Sequence, residues 1–284
     1  MATPEKLLYA GSGALRRLTQ RKSCPCCQST STTTIDRKFA HTLEECSDCF
    51  ILFRFPYESA DEMRNYYQSS YHQEGLTTDL PSDLDLERLM QSNFSGSQKD
   101  FSRVVFLLRQ LGVSPGASIL DYGANWGYGA FQFKRAGYSV KAYEVSKKRA
   151  AFGLRIGIKI ETGLSKMQDD FDAVYSSHVL EHMSNPLVGL REQFDRVRKG
   201  GFLIGHTPNG SLARRSAAFD AFRHHWGMVH PVLLSDRFIA TNFADYPFFV
   251  SSQEGAESVR EWDGKQRTIG NLEGSELLFV IRRQ

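Results

Sequence analysis

The chain has 284 residues, of which 41% are hydrophobic and 24% charged, enough for one large domain or two small ones and ordinary for a globular protein. Collagenous, coiled-coil and wholly disordered classes are thereby excluded. The mean hydropathy is −0.38, and no stretch approaches the roughly 18 consecutive apolar residues of a membrane-spanning helix. With 35 basic against 32 acidic residues the net charge is +3, too balanced to mark a nucleic-acid binder.

In chain order, the first segment, MATPEKLLYAGSGALRRLTQRKS, holds five bases and one acid. It lacks the apolar core of a secretory signal. The expectation is a cytoplasmic protein, a transit peptide being the lesser reading. The five cysteines follow: Cys24, Cys26, Cys27, Cys46 and Cys49. An odd number without a secretion signal argues against a disulfide framework. Cys24 and Cys27 form one C-x2-C pair and Cys46 and Cys49 another, the spacing of a tetrahedral structural zinc site on two knuckle loops. Four thiolates leave no open position for a catalytic water, so the metal would be structural. Cys26 is the spare, although it or His41 would be an alternative ligand. The Thr-rich intervening stretch predicts two strands of a ribbon, and the module is placed at residues 20–56.

Residues 57–100 are polar with scattered aromatics, a helical or linker segment that would cover the active site. Ser59 with Asp61 and Glu62 predicts a helix start. Tyr66, Tyr67, Tyr71 and His72 are candidates for a substrate pocket or for packing the linker. From Phe101 to Leu111 apolar residues recur at helical spacing and stop at Gly112. Strands and helices then alternate: ASILDYG, WGYGAFQFKRAG, YSVKAYE, SKKRAAFGLRIG, IKIETG, FDAVYSS, HVLEHMSNPLVGLREQFDRVR, GGFLIGHTPN and a last strand in SELLFVIRRQ. The fold class is α/β, a doubly wound, mostly parallel, Rossmann-like sheet over residues 101–284, preceded by the small zinc ribbon.

In such a sheet ligands bind at the carboxyl ends of the strands. The first strand delivers Asp121, Gly123, Ala124, Asn125 and Gly127, an acid and a tight turn of small residues. The middle position is Asn125, which also tolerates the left-handed region. An acid at the mouth suits an ammonium better than a phosphate, and Glu144, ending the second strand, suits ribose hydroxyls. The ligand implied is a nucleoside with a cationic tail.

The ordered set ILDYGANWG, AYE, FDAVYSSHVLEHMSNP and RKGGFLIGHTPN resembles class I S-adenosylmethionine-dependent methyltransferases, over about residues 101–284. The resemblance implies methyl transfer. It also implies that Asp121, Gly123, Ala124, Asn125 and Gly127 hold the methionine part of the cofactor, that Glu144 holds the ribose, and that Ser177 and His178 flank it. Leu164 and Ser165 are the candidates for adenine.

His178-x-x-Glu181-His182 matches the H-x-x-E-H of inverted zinc metalloproteases and, on a helix, would share one face. No third ligand accompanies it, so the protease reading is set aside. Quinone-biosynthesis O-methyltransferases resemble this segment but carry Glu at position 178 and bind a divalent cation there, which leaves a cation as an open alternative. Otherwise His178 or His182 is a general base, with Glu181 beside it, or His182 only caps or packs the helix. Downstream, His224, His225, Trp226 and His230 would wall a substrate site or pack between helices. His206 is read as core, and Arg214 and Arg215 as surface. The ribbon combined with a methyltransferase resembles enzymes that act on sugars, nucleotide-linked sugars or glycans. Partners are therefore expected to be small molecules, with neither nucleic acid nor membrane and an open oligomeric state. A zinc-ribbon RNA methyltransferase and a catalytically silent binding module are the alternatives.

Overall fold

The computed structural model describes residues 4–59, 61–63, 79–167, 170–252, 257 and 259–284. A helix, α1 (Pro4–Thr19), precedes a hairpin of β1 (Thr32–Lys38) and β2 (His41–Cys46), followed by β3 (Leu52–Phe55). The Thr-rich β1 pairs antiparallel with β2 through a bulge near Ile35, as β-branched residues on a half-buried strand would. The ribbon sheet has the order β1-β2-β3-β9, so its last strand, β9 (Val232–Leu233), comes from far downstream. At the start of the next segment, Ser59 and Glu62 form a reciprocal capping box: the Glu62 N–H donates to Ser59 Oγ and the Ser59 N–H to Glu62 Oε2, the helix start foreseen.

The remaining elements are α2 (Asp83–Gln91), α3 (Ser102–Gln110), β4 (Ser118–Tyr122), α4 (Tyr128–Arg135), β5 (Ser139–Tyr143), α5 (Lys147–Gly153), β6 (Ile160–Glu161), β7 (Phe171–Ser177), α6 (Pro186–Asp195), β8 (Val197–Pro208), α7 (Leu212–Ala217), α8 (Phe219–Arg223), α9 (Asp236–Asn242), β10 (Phe248–Ser252), β11 (Arg267–Ile269) and β12 (Glu276–Arg282). Eight strands form the main sheet in the order β11-β10-β12-β8-β7-β4-β5-β6. β8, β7, β4, β5 and β6 run parallel, and β12 is antiparallel to both β8 and β10. The strand-to-helix alternation produces this sheet because each helix covers the apolar side chains of the strands it joins.

Side chains alternate between the two faces. Ile119, Ala173, Tyr175 and Ile204 pack with Val104, Leu107 and Leu108 of α3. Leu120, Tyr122, Val174 and Leu203 pack on the other face with Leu190 and Phe194 of α6 and Phe238 and Ile239 of α9. Each fully buried aliphatic or aromatic side chain contributes about 1.5–3 kcal/mol. The ribbon joins this second core through Ile51, Phe53 and Phe55.

Three sequence expectations change. HVLEH is not the first turn of a helix. His178 takes φ +52, Leu180–His182 is a single 3-10 turn, and α6 begins only at Pro186, with Asn185 accepting N–H bonds from Leu187 and Val188. Arg215 is not surface: it is 7% exposed, and its guanidinium holds Glu45 of the ribbon at 2.7 Å. His206 is half-buried rather than enclosed in the core.

Candidate functional site

The carboxyl ends of β4, β5 and β7 open into a cavity of about 1400 Å³. The turn after β4 is built by its backbone. Gly123 sits at φ +81, Asn125 at φ +54 and Gly127 at φ +94, left-handed positions that glycine and asparagine take most readily. A Cβ on Gly123 would run into Cγ2 of Val179, so any side chain there would have to move Val179. The N–H groups of Gly123 and Ala124 both donate to the Tyr143 carbonyl at 2.8 Å, tying the turn to β5.

Glu144, 5% exposed, lines the cavity just past β5. Its Oε2 accepts from the Asn125 N–H at 3.0 Å and its Oε1 from the Ser146 N–H at 2.8 Å. Burial raises its carboxyl above the ordinary range, with those N–H bonds opposing the rise. Of the residues assigned to the cofactor, Gly123, Asn125, Glu144 and Ser177 line the cavity, and Asp121, Ala124 and Gly127 do not. Asp121 is 4% exposed and sits beneath the turn rather than at its mouth, with the Ala130 N–H of α4 as partner. Burial, with the Glu144 charge adding to it, pushes its carboxyl up to about 7. Leu164 is buried and Ser165 exposed, and neither lines the cavity, whereas Thr162 does.

The opposite wall carries imidazoles. His178, His182, His206, His224, His225 and His230 all line the cavity. Glu181, wholly buried, lies beneath them. Its Oε1 is 3.0 Å from His178 Nδ1, and its Oε2 accepts from Thr207 Oγ1 at 3.1 Å. Burial would raise Glu181, but the bond from His178 and the charges of the surrounding histidines overcome it and hold the carboxyl at about 2. His178 experiences the converse. Burial lowers it, yet Glu181, together with Glu276 at 3.2 Å from Nε2, raises it to about 9. It is therefore an imidazolium at neutral pH.

His182 differs. Burial pulls it down to about 4, so it is neutral. Its Nδ1 lies 2.8 Å from the Val229 carbonyl, which can only accept. The proton is therefore on Nδ1, and Nε2 carries the lone pair. His230 likewise sets its Nδ1 against a backbone carbonyl, 2.7 Å from that of His225. The two rings are 4.9 Å apart. Glu181, His182 and His230 each place one donor atom within 4.8 Å of the other two, a grouping suited to a shared proton or to a divalent cation. Its third member is 48 positions from the second, and only the fold reveals it. Trp226 is 2% exposed, and its indole N–H is committed to Asp36 at 3.0 Å, so it is not an open stacking platform. Tyr66, Tyr67, Tyr71 and His72 lie outside the described residues.

In the ribbon, Cys24, Cys27, Cys46 and Cys49 place their sulfurs within 4.8 Å of one another, with Cys24–Cys49 and Cys27–Cys46 at 3.5 Å. A tetrahedron of 2.3 Å Zn–S bonds has edges of about 3.8 Å, so this set fits zinc. Cys26 is not in the set, and His41 packs against Gly13 of α1 instead.

A family model described as a methyltransferase domain matches residues 95–246, more than half of the chain. The protein belongs to this family, the S-adenosylmethionine-dependent methyltransferases anticipated from its motifs. Among solved structures it is similar to magnesium protoporphyrin IX methyltransferase (ChlM) from Synechocystis PCC 6803 with bound SAM. The identity is 14%, covering 80% of this chain and 99% of that one, with a TM-score of 0.51. A TehB-like SAM-dependent methyltransferase from Corynebacterium glutamicum aligns at 15% identity over 71% of this chain and 97% of that one, with a TM-score of 0.47. At 14% identity the likeness to the Synechocystis enzyme is one of fold. A search of curated proteins finds no match. Among the described residues no helix is long and apolar enough to cross a membrane.

Proposed function

We propose that the protein transfers a methyl group from S-adenosylmethionine to a hydroxyl- or amine-bearing small molecule, of which a sugar, nucleotide-linked sugar or glycan is the class favoured. The observation that carries this reading is a continuous cavity of about 1400 Å³ that joins Gly123, Asn125 and Glu144 to the imidazole wall. One ligand typically fills about 300–1,000 Å³, so the space suits a cofactor and an acceptor side by side. Residues 20–56 would then be the zinc-bearing ribbon, 57–100 a cover over the site and 101–284 the transfer domain. Cys24, Cys27, Cys46 and Cys49 would hold zinc as a closed structural site.

When bound, S-adenosylmethionine supplies a methyl group already activated on a sulfonium. Glu144 would hold the ribose hydroxyls with the lone pairs left over from Asn125 and Ser146. Asp121, its carboxyl pushed up to about 7 by burial, would supply negative charge beneath the turn by ionising as the ammonium binds. The chain's remaining task is to align the acceptor and take one proton. His178 is already protonated and is unsuited to that. His182 is neutral, with its lone pair on Nε2, so it is the base. The proton it takes is stabilised by Glu181 beneath. The His178 imidazolium, whose two N–H groups face Glu181 and Glu276, would hold those two carboxylates in place beside the acceptor space.

The test is incubation of the purified protein with labelled S-adenosylmethionine and, separately, metabolite and RNA pools, read by mass spectrometry. Label in a small molecule supports the reading. Label in RNA alone establishes the RNA alternative, and label in neither, with cofactor bound, leaves the silent module.

A further inference from the structure

The loop that carries His224, His225, Trp226 and His230 is gripped from both sides. On the cavity side its carbonyls at 229 and 225 receive the Nδ1–H groups of His182 and His230. On the outer side the ribbon holds the same stretch. Lys38 Nζ donates to the Arg223 carbonyl and, at 2.7 Å, to the Trp226 carbonyl, with its ammonium 4.4 Å from the Trp226 ring centroid. Asp36 Oδ2 accepts from Arg223 Nε at 2.8 Å and from Trp226 Nε1 at 3.0 Å. The buried Arg54 donates to the Gly227 carbonyl, its N–H reaches the Pro231 carbonyl at 2.8 Å, and β3 then pairs with β9. Outer carbonyls at 223, 226, 227 and 231 thus go to the ribbon, and inner ones at 225 and 229 go to the imidazoles.

We propose that Asp36 and Lys38 are positioning residues for methyl transfer: through the 223–231 backbone they fix the orientation and tautomer of His182 and His230. The physical basis is the hydrogen-bond requirement of a neutral imidazole. Whichever nitrogen finds an acceptor keeps the proton, and the other carries the lone pair. Two carbonyls carried beyond hydrogen-bond reach, past about 3.5 Å, would release the Nδ1–H form, which histidine in water populates less. Lys38 is half-buried, and the charge-assisted bonds of Asp36 and Lys38 to this loop are of the stronger kind. The ribbon is on this account part of the catalytic wall and not an appendage. The inference rests on the methyl-transfer reading for the meaning of the lone pairs, but its test does not require the acceptor.

The experiment uses the full chain labelled with 15N-histidine, with the imidazole nitrogens read by long-range 1H–15N spectroscopy above neutral pH. S-adenosylhomocysteine affinity is measured alongside by calorimetry. The unaltered protein should show His182 and His230 as Nδ1–H tautomers. Lys38→Met and Asp36→Asn should each move both rings toward an averaged tautomer mixture, with S-adenosylhomocysteine affinity held within about twofold. Lys38→Arg, which keeps a donor, should restore the unaltered spectrum. Tautomers that stay fixed in both Lys38→Met and Asp36→Asn overturn the proposal, and so does loss of S-adenosylhomocysteine binding in both, because the contacts would then support the whole domain. No S-adenosylhomocysteine binding by the unaltered protein would instead defeat the methyl-transfer reading itself.

Discussion

Glu144 offers a sharp test of the cofactor site. A carboxylate has about four lone-pair positions, and two are taken by the N–H groups of Asn125 and Ser146. The remaining two match a pair of ribose hydroxyls. Glu144→Gln keeps the shape but turns one acceptor oxygen into a donor. A hydrogen bond to a charged group contributes about 1.5–3 kcal/mol, which converts to roughly a 10- to 150-fold loss of affinity. Glu144→Ala should lose at least as much, because the backbone donors at 125 and 146 also lose their partner and the turn loosens. Gln fills the same space and leaves one of those two backbone donors without its partner rather than both, so it is the milder probe. The assay is calorimetry with S-adenosylmethionine and S-adenosylhomocysteine, with thermal melts to confirm folding. Glu161→Gln, whose carboxylate pairs with Lys159 outside the cavity, is the control and should bind normally. Acid should weaken binding to the unaltered protein sooner than an ordinary carboxylate predicts, since burial raises Glu144 above 4.5 and its protonation removes the acceptor. If Glu144→Gln binds both ligands within about threefold of the unaltered protein, the ribose is not held here and the cofactor placement is wrong.

Four further outcomes are expected. The purified, reduced protein should contain about one zinc per chain, and Cys46→Ser should release it and melt the ribbon, since metal binding supplies much of such a module's folding energy; elemental analysis without zinc refutes this. Asp121, pushed up to about 7, should ionise fully when a cationic ligand binds, so calorimetry at neutral pH in buffers of differing ionisation enthalpy should detect proton release, and Asp121→Asn should abolish it. His182→Gln should cut turnover by roughly 10²–10⁴-fold with little change in cofactor affinity, and the unaltered rate should stay flat across neutral pH because His182 titrates only near 4; a rate that climbs through pH 6–7 would point to another base. The His178–Glu181 pair should contribute stability fully above 4.5 and below 6.5, losing it as pH rises through about 9 and, on the acid side, as pH falls toward about 2. Melting curves in which His178→Gln is destabilised equally at pH 6 and pH 10 would contradict that assignment.

What the sequence disclosed was local. The two C-x2-C pairs specify their own knuckles, and the sulfurs do converge. Asp121 through Gly127 reads as strand, turn and helix because the turn needs positive φ at Gly123, Asn125 and Gly127, and those residue types permit it. The alternation of strand and helix fixes a parallel sheet for the same reason, each segment being apolar on the face it must cover. HVLEH misled because i, i+3, i+4 spacing is only a helical pattern if the backbone stays helical. Here His178 turns left-handed to reach Glu181 and Glu276, and the signal that outranked the spacing was Asn185-Pro186, a cap and first-turn proline seven residues on.

The parts that could not be foreseen are those made by distant partners. Thr207 beneath Glu181, His230 beside His182 and Arg215 against Glu45 join segments tens of residues apart, and no spacing rule encodes them. They share a physical origin. Once the ribbon sheet recruits β9 as its fourth strand, the nine residues before that strand are held at both ends, and their carbonyls must find donors. Lys38, Arg54 and the Trp226–Asp36 contact secure one side of that loop, and His182 and His230 take the other. His182, visible in the sequence only as the end of H-x-x-E-H, thereby acquires a partner for its Nδ1–H, a carboxylate neighbour and a place on the cavity wall, the placement on which its proposed role as proton acceptor rests.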